Sequence, residues 1–321
     1  MVEEERDWSS IHIDIGCLVL SKLIKFVDHV RFGAVCKYWH TIAADYYNRV
    51  TLPSRGSIPM LLVPVTECET QRRLYNVSAG KVDPNVTLFD IPNKRCCGSS
   101  FGWLAFVEED LSVTIINPFK FKRNHHTSTR SPHFRVIFED LVFHKGLVYA
   151  TDARFMVVSI DINSQPPQMR ILKGPEPFNL HEKWAANYIA ESTSGDLYAI
   201  RRRFEFEDMP TKIFKVLKLE FHPESGDLIR YDEVNTLNGD AIFVGENYSV
   251  SFEASKFGGC LPNSIYFIDD FWIGYRHMSN EVEDSGIYNV REKRVSRHYE
   301  RDPNHRLKPP AIWVQPSPSI S

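Results

Sequence analysis

The chain has 321 residues, with 38 Lys and Arg against 41 Asp and Glu, a net charge of -3. That length is about two domains at ~150 residues each, and the near balance of charge argues against a protein whose main work is gripping nucleic acid or an anionic membrane. Hydrophobic residues make up 43% and charged residues 25% of the chain, which excludes general disorder, and the 12% aromatic share favours strands and large cores.

The longest apolar stretches, such as Cys17 to Leu20 and Met60 to Val63, fall far short of the ~20 residues of a spanning helix. The start, Met1-Val2-Glu3-Glu4-Glu5-Arg6-Asp7, is acidic and has no apolar run behind it, so no signal peptide is expected. The Asn-x-Ser/Thr matches at Asn76, Asn85 and Asn247 are then read as chance. Cys17, Cys36, Cys68, Cys96, Cys97 and Cys260 contain no C-x-x-C pair. Neither a zinc site nor a disulfide framework is expected, and reduced thiols point to an intracellular protein, cytoplasmic, nuclear or both.

Residues 8 to 47 read as helix. Asp14 can cap a first helix, with Ile15, Leu18, Val19 and Leu23 at i, i+3, i+4 and i+8. Asp28 can cap a second, followed by Phe32, Val35, Cys36 and Trp39, and the stripe runs on through Ile42, Ala43, Tyr46 and Tyr47. Pro53 and Gly56 then punctuate the chain. A unit of ~45 residues is too small to bury all its apolar surface well.

From Pro59 onward, short runs of Val, Ile, Phe, Tyr and Leu alternate with Gly, Pro, Asn and Asp turns. His181 to Ala190 is the one moderate helix candidate. A glycine leading into an apolar strand recurs at Gly102, Gly146, Gly195 and Gly239. Repeats of ~40–50 residues with several short strands each are the mark of a β-propeller, here of about six blades, or five or seven. A late element, Asn263 to Asp270, breaks the even spacing. The competing architecture is an irregular pair of β-sandwiches.

The first region resembles an F-box. The matching text is Trp8-Ser9-Ser10-Ile11-His12-Ile13-Asp14-Ile15, then Leu18 to Leu23, Asp28, and Arg31-Phe32-Gly33-Ala34-Val35-Cys36-Lys37-Tyr38-Trp39. The usual opening Leu-Pro is Ile11-His12 here. The second region is similar to the propeller-like C-terminal domain of a large group of plant F-box proteins, domain of unknown function 295. Cys97-Gly98-Ser99-Ser100-Phe101-Gly102-Trp103-Leu104, Asn117-Pro118-Phe119, Ile265-Tyr266-Phe267 with Asp269-Asp270, and the ending Pro309 to Ser317 carry that likeness. The implied architecture is an α+β multidomain chain: a three-helix F-box at 5–50, a linker at 51–58 and an all-β propeller-like domain at 59–321.

The resemblance implies a substrate receptor of a Skp–cullin–F-box ubiquitin ligase. The F-box would hold a Skp-type adaptor and, through it, cullin; the propeller would hold a target protein. A short helical unit with apolar residues on more than one face cannot cover them all internally. Ile11, Ile13, Ile15, Val19, Leu20, Leu23, Val35 and Trp39 are the candidates for a core shared with the adaptor. No nucleic-acid, membrane, metal or cofactor role is expected, and no enzymatic one. A second reading, a protein that sequesters a partner and recruits no ligase, draws on the altered Ile11-His12 opening.

Other motifs favour structural readings. Gly98-Ser99-Ser100-Phe101-Gly102 is a literal G-x-S-x-G, but a nucleophile elbow needs a strand before it and a helix after it. Here strands follow, so a Gly/Ser-rich hairpin turn is expected. His125-His126 sits in a basic polar loop without ligand spacing. Asp269 and Asp270, as neighbours in a strand, would point to opposite faces. Arg201-Arg202-Arg203 is read as part of a strand rather than a phosphate site. The basic run Arg291 to Lys308 reads as a solvated flank, and Pro309 to Pro318 as an extended surface tail.

Overall fold

The computed structural model describes residues 8, 11–23, 28, 31–33, 35–49, 58–65, 68–77, 79–88, 96–100, 103–107, 113–117, 122–126, 138–152, 154–161, 163–164, 168–172, 186–204, 211–245, 247, 249–268, 284–297 and 311–315. Two helices open the chain, α1 (Ile13–Lys22) and α2 (Lys37–Arg49). Asp28 and residues 31–33 between them are helical too. The cap of α1 lies two residues ahead of the expected Asp14. His12 is extended, with φ −61° and ψ 138°, and its Nδ1 accepts the Asp14 N–H at 3.4 Å. Asp14 instead occupies the first turn and Lys22 the last, where each sign suits the helix dipole.

Beyond residue 58 the regular elements described are β-strands, apart from a 3-10 turn at Ala254–Lys256. The first sheet runs β21 (Ile312–Val314), β1 (Met60–Val65), β2 (Cys68–Asn76), β3 (Lys81–Leu88). The second is β4 (Cys96–Ser100), β5 (Trp103–Val107), β6 (Val113–Asn117), β7 (Lys122–His126). The third is β8 (Phe138–His144), β9 (Leu147–Asp152), β10 (Val157–Asp161), β11 (Gln168–Leu172). The fourth is β12 (Ala186–Glu191), β13 (Leu197–Phe204), β14 (Thr211–Phe221), β15 (Leu228–Val234). The fifth holds β16 (Asp240–Val244), β17 (Val250–Glu253), β18 (Ser264–Phe267), β19 (Gly286–Asn289) and β20 (Arg294–Ser296), in the order β17-β16-β18-β19-β20.

The described residues form five sheets, within the five to seven blades that the spacing allows. The off-period element does not add one. Residues 264–267 form β18, which joins β16 in the same sheet in parallel register, Ile242 opposite Ile265, instead of opening a new one. His181 to Ala190 is corrected. Its second half lies in β12, where Tyr188, Ile189 and Ala190 are all buried because the sheet is covered on both faces. A strand buried on both faces reads as a continuous apolar run, which periodicity cannot separate from a helix.

The recurring glycine has a backbone cause. Gly146, Gly195 and Gly239 take φ of 87°, 85° and 94°, and each stands in the turn before the second strand of its sheet in spatial order. Lys145 and Gly146 both have positive φ in the two-residue link from β8 to β9, the twist a tight hairpin requires. Residues with a Cβ resist that region, so glycine marks these three repeats, while Gly102 lies outside the described residues.

Four core clusters lie where sheets face one another. Leu62, Leu74, Leu104 and Phe106 join the first sheet to the second. Tyr149, Val157, Ile189 and Leu219 join the third to the fourth. Tyr188, Phe214, Ile242 and Phe267 join the fourth to the fifth. Leu61, Val63, Phe243, Tyr266 and Trp313 join the fifth back to the first. That last junction depends on the end of the chain. Ile312 to Val314 is not a surface tail: β21 is buried and pairs antiparallel with β1, Met60 opposite Val314 and Leu62 opposite Ile312. Trp313 is fully buried, edge-on to Phe243 at 5.1 Å, and its Nε1 donates to the Val244 carbonyl at 2.8 Å. Its own carbonyl accepts from Asn247 Nδ2 at 2.7 Å.

Replacing Trp313 with alanine removes this filling and one indole hydrogen bond. The expected loss is about 3–5 kcal/mol, read as a lower denaturant midpoint with an unchanged slope.

Candidate functional site

α1 is apolar on two sides. Ile13, Cys17 and Leu20, at i, i+4 and i+7, turn toward α2 and join Phe32, Ile42 and Ala43 in a small core. Ile11, Leu23, Trp39 and Tyr46 pack around it, half-buried. Gly16 allows the helices to approach closely, since a Cβ there would lie 2.7 Å from Ile42 Cγ2. Trp39 stacks at a tilt on Phe32, ring centres 4.4 Å apart, and its Nε1 donates to the Trp8 carbonyl at 2.7 Å. No core cluster contains described residues of both this unit and the β region.

The opposite side of α1 is bare. Ile15 is 53% exposed, Leu18 59% and Val19 37%. Just ahead of and within α2, Val35 is 60% and Tyr38 42% exposed, and Trp8 stands out by 63%. These are six of the twelve large apolar side chains found exposed among the described residues, concentrated in a unit of fewer than 50 residues. Free-standing soluble surfaces seldom gather such residues unless a partner covers them.

The eight residues expected at this surface divide. Ile15, Val19 and Val35 lie open to solvent. Ile11, Ile13, Leu23 and Trp39 are half-buried against the unit's own core, and Leu20, 1% exposed, belongs wholly to it. Trp8, Leu18 and Tyr38 belong to the open set and were not among the eight. A helix apolar around more than one stripe signals two covered faces, but the sequence pattern alone does not say which face the protein covers itself.

In the β region one buried polar cluster centres on Arg202 and Asp284. Arg202, fully buried at the end of β13, donates from Nη1 to Tyr188 Oη and the Ile268 carbonyl, at 3.1 and 2.9 Å. Its Nη2 donates to the carbonyl and carboxylate of Asp284, both at 2.9 Å, and Nε to Thr211 Oγ1 at 2.7 Å. The Asp284 carboxylate also accepts the Thr211 N–H. The guanidinium lies 4.9 Å from the Phe267 ring centre. Arg201 is buried as well and Arg203 is exposed, so the triple-arginine run is part of strand β13 with two of its three side chains covered. Ser100 and Trp103 face one another in the β4–β5 hairpin, so strand follows strand and the G-x-S-x-G is no nucleophile elbow. Burial pushes the Cys260 thiol up to about 11, away from nucleophilic chemistry. Among the described residues no group of three His, Cys, Asp or Glu could hold a metal ion, and no helix is long and apolar enough to cross a membrane. His125 and His126 lie in β7, and Asp269 and Asp270 lie outside the described residues.

A family model described as the KIB1-4 beta-propeller matches residues 120–289, just over half the chain. The Arabidopsis thaliana protein At1g65770, named as an F-box protein, is 31% identical over 85% of this chain and 92% of its own length. The chain belongs to this family of plant F-box proteins with a propeller-like C-terminal domain. Two further Arabidopsis thaliana relatives named as F-box proteins, At1g65740 and At4g35733, are 27% and 26% identical over 49% and 46% of this chain. Those two matches span only 40% and 43% of the relatives' own lengths. The solved N-terminal domain of Nup159 overlaps 76% of this chain and 62% of its own at 7% identity, with a TM-score of 0.27, too low to argue from. In this F-box family member, then, six of the twelve exposed large apolar residues described lie in the short helical unit, and the described core clusters of the propeller-like region lie between its sheets.

Two predictions concern the buried groups. Asp284→Ala leaves the Arg202 guanidinium buried without its counter-charge, and the expected cost is about 3–5 kcal/mol; the double change Arg202→Met with Asp284→Leu should cost clearly less. Chemical denaturation of the two variants checks the order. Burial also raises Tyr198 and Tyr288 to about 12, from an ordinary value of 10.0. A tyrosine whose folded pKa is raised keeps its stabilisation below the unfolded value and loses it as pH rises past that value. Stability should therefore fall from about pH 10 upward, measured by thermal unfolding across pH 8 to 12.

Proposed function

We propose that this chain is the substrate-recognition subunit of a Skp–cullin–F-box ubiquitin ligase, bridging a Skp-type adaptor and a target protein. One observation carries the reading: Ile15, Leu18, Val19, Val35, Tyr38 and Trp8 are exposed on a helical unit whose relatives are named as F-box proteins. An adaptor presenting an apolar helical surface would cover them, as in permanent hetero-complexes that resemble a domain core cut in two. The aromatic residues of the set are the residue types that most often anchor interfaces.

The mechanism is tethering. The helical unit at 5–50 holds the adaptor, with cullin beyond it, and the β region at 59–321 holds the target. Bound this way, target lysines experience a raised effective concentration of the ligase's ubiquitin-carrying partner. No residue of this chain needs to take part in covalent chemistry. A propeller-like body suits such a role because its turns gather at two ends and offer broad surfaces on a rigid frame.

Co-purification of the full chain with a purified plant Skp-type adaptor tests the reading. Wild type should form a stoichiometric complex. Ile15→Asp with Leu18→Asp places two charges on the open face without touching the inner core, and should weaken binding by at least a hundredfold in calorimetry while the β-region circular dichroism stays unchanged. Equal affinity for wild type and variant would sink the assignment of this face.

A further inference from the structure

Resting on that reading, we infer that adaptor binding completes the folding of the helical unit, so that the free receptor spends a measurable fraction of its time with this unit locally open. The inference comes from how little holds the unit together. Among the described residues, Leu20, Phe32, Ile42 and Ala43 are the buried apolar residues of its core cluster. The two helices have 10 and 13 residues, lengths at which isolated helices in water are marginal. Among the described residues neither shares a core cluster with the sheets. On the other side of the balance, Ile15, Leu18, Val35 and Trp8 are each more than half exposed in the folded form and gain nothing from folding until something covers them.

A partner that binds only the folded unit stabilises it by mass action. Helix formation and adaptor capture then form one linked equilibrium. A buried residue that never meets the adaptor would still set the affinity, because it sets the fraction of receptor able to bind. Ile42 is such a residue: it is fully buried beneath α1, against Gly16. The adaptor's concentration becomes a control on the receptor, since scarce adaptor leaves the unit open.

Hydrogen exchange on the full chain, with and without a purified Skp-type adaptor, tests this. In free receptor the amides of 13–22 and 37–49 should exchange at least a hundredfold faster than those of β13, β14 and β16. Adaptor at saturation should slow the helical amides at least tenfold and leave the strands unchanged. Ile42→Ala should weaken adaptor binding at least tenfold although the side chain lies out of reach of any partner. A complex that forms while the helical amides are equally protected before and after, with Ile42→Ala binding within twofold of wild type, overturns the linkage and leaves the receptor reading intact. Failure of wild type to bind any adaptor overturns both.

Discussion

A sheet buried on both faces needs two neighbours. That constraint organises the β region. Tyr188 and Ala190 face the fifth sheet while Ile189, between them, faces the third, so a single short strand feeds two cores. Such a strand has no solvent side, and its sheet is stable only in a series of sheets. A series has two ends, and an uncovered end sheet exposes apolar surface. The chain meets this by returning β21 to the edge of β1, which sets Trp313 in the core between the first and fifth sheets.

Buried polar groups in this arrangement act as ties between sheets. Glu139 and Asp140 of β8 accept from backbone N–H groups of Asn187 and Ile189 in β12. Asp240 at the head of β16 accepts from Thr193 in the turn between β12 and β13. Arg202 reaches from the fourth sheet to chain on either side of the segment between β18 and β19. Apolar packing tolerates sliding, whereas each of these bonds requires one alignment of neighbouring sheets. The third sheet shows what an incomplete series looks like. By register Leu141, Ala150, Val158 and Ile171 share a face with Phe143, Val148, Ile160 and Met169. Leu141, Phe143, Met169 and Ile171 are exposed on it, on the side away from the cluster shared with the fourth sheet.

Parts of this were legible in the sequence because they rest on local chemistry. The glycine repeat could be read because a positive φ before a strand is a local demand that one residue type meets. The helical unit could be read from its 3.6-residue period. The pairing of β21 with β1 could not: three residues that meet a partner some 250 positions earlier carry no local sign, and the flanking prolines suggested surface. The blade count stayed open between five and seven because period alone cannot say whether a strand such as residues 264–267 opens a new sheet or joins the last one in parallel. The candidate docking residues show the same limit. Leu20 and Val19 are adjacent and both apolar, yet one is core and the other open, and only the position of α2 separates them.

The two regions thus answer one problem in opposite ways. The β region covers most of its apolar faces from within, by adding sheets and by bringing its last strand back to its first, and leaves Leu141, Phe143, Met169 and Ile171 of the third sheet exposed. The helical unit is too short to do so: α1 meets α2 on one side and presents Ile15, Leu18 and Val19 on the other. Adding charge to that outer face would make the unit more soluble alone but would remove what a partner needs. On the proposed reading that exposure is what docking requires, borne in a unit that among the described residues shares no core cluster with the sheets.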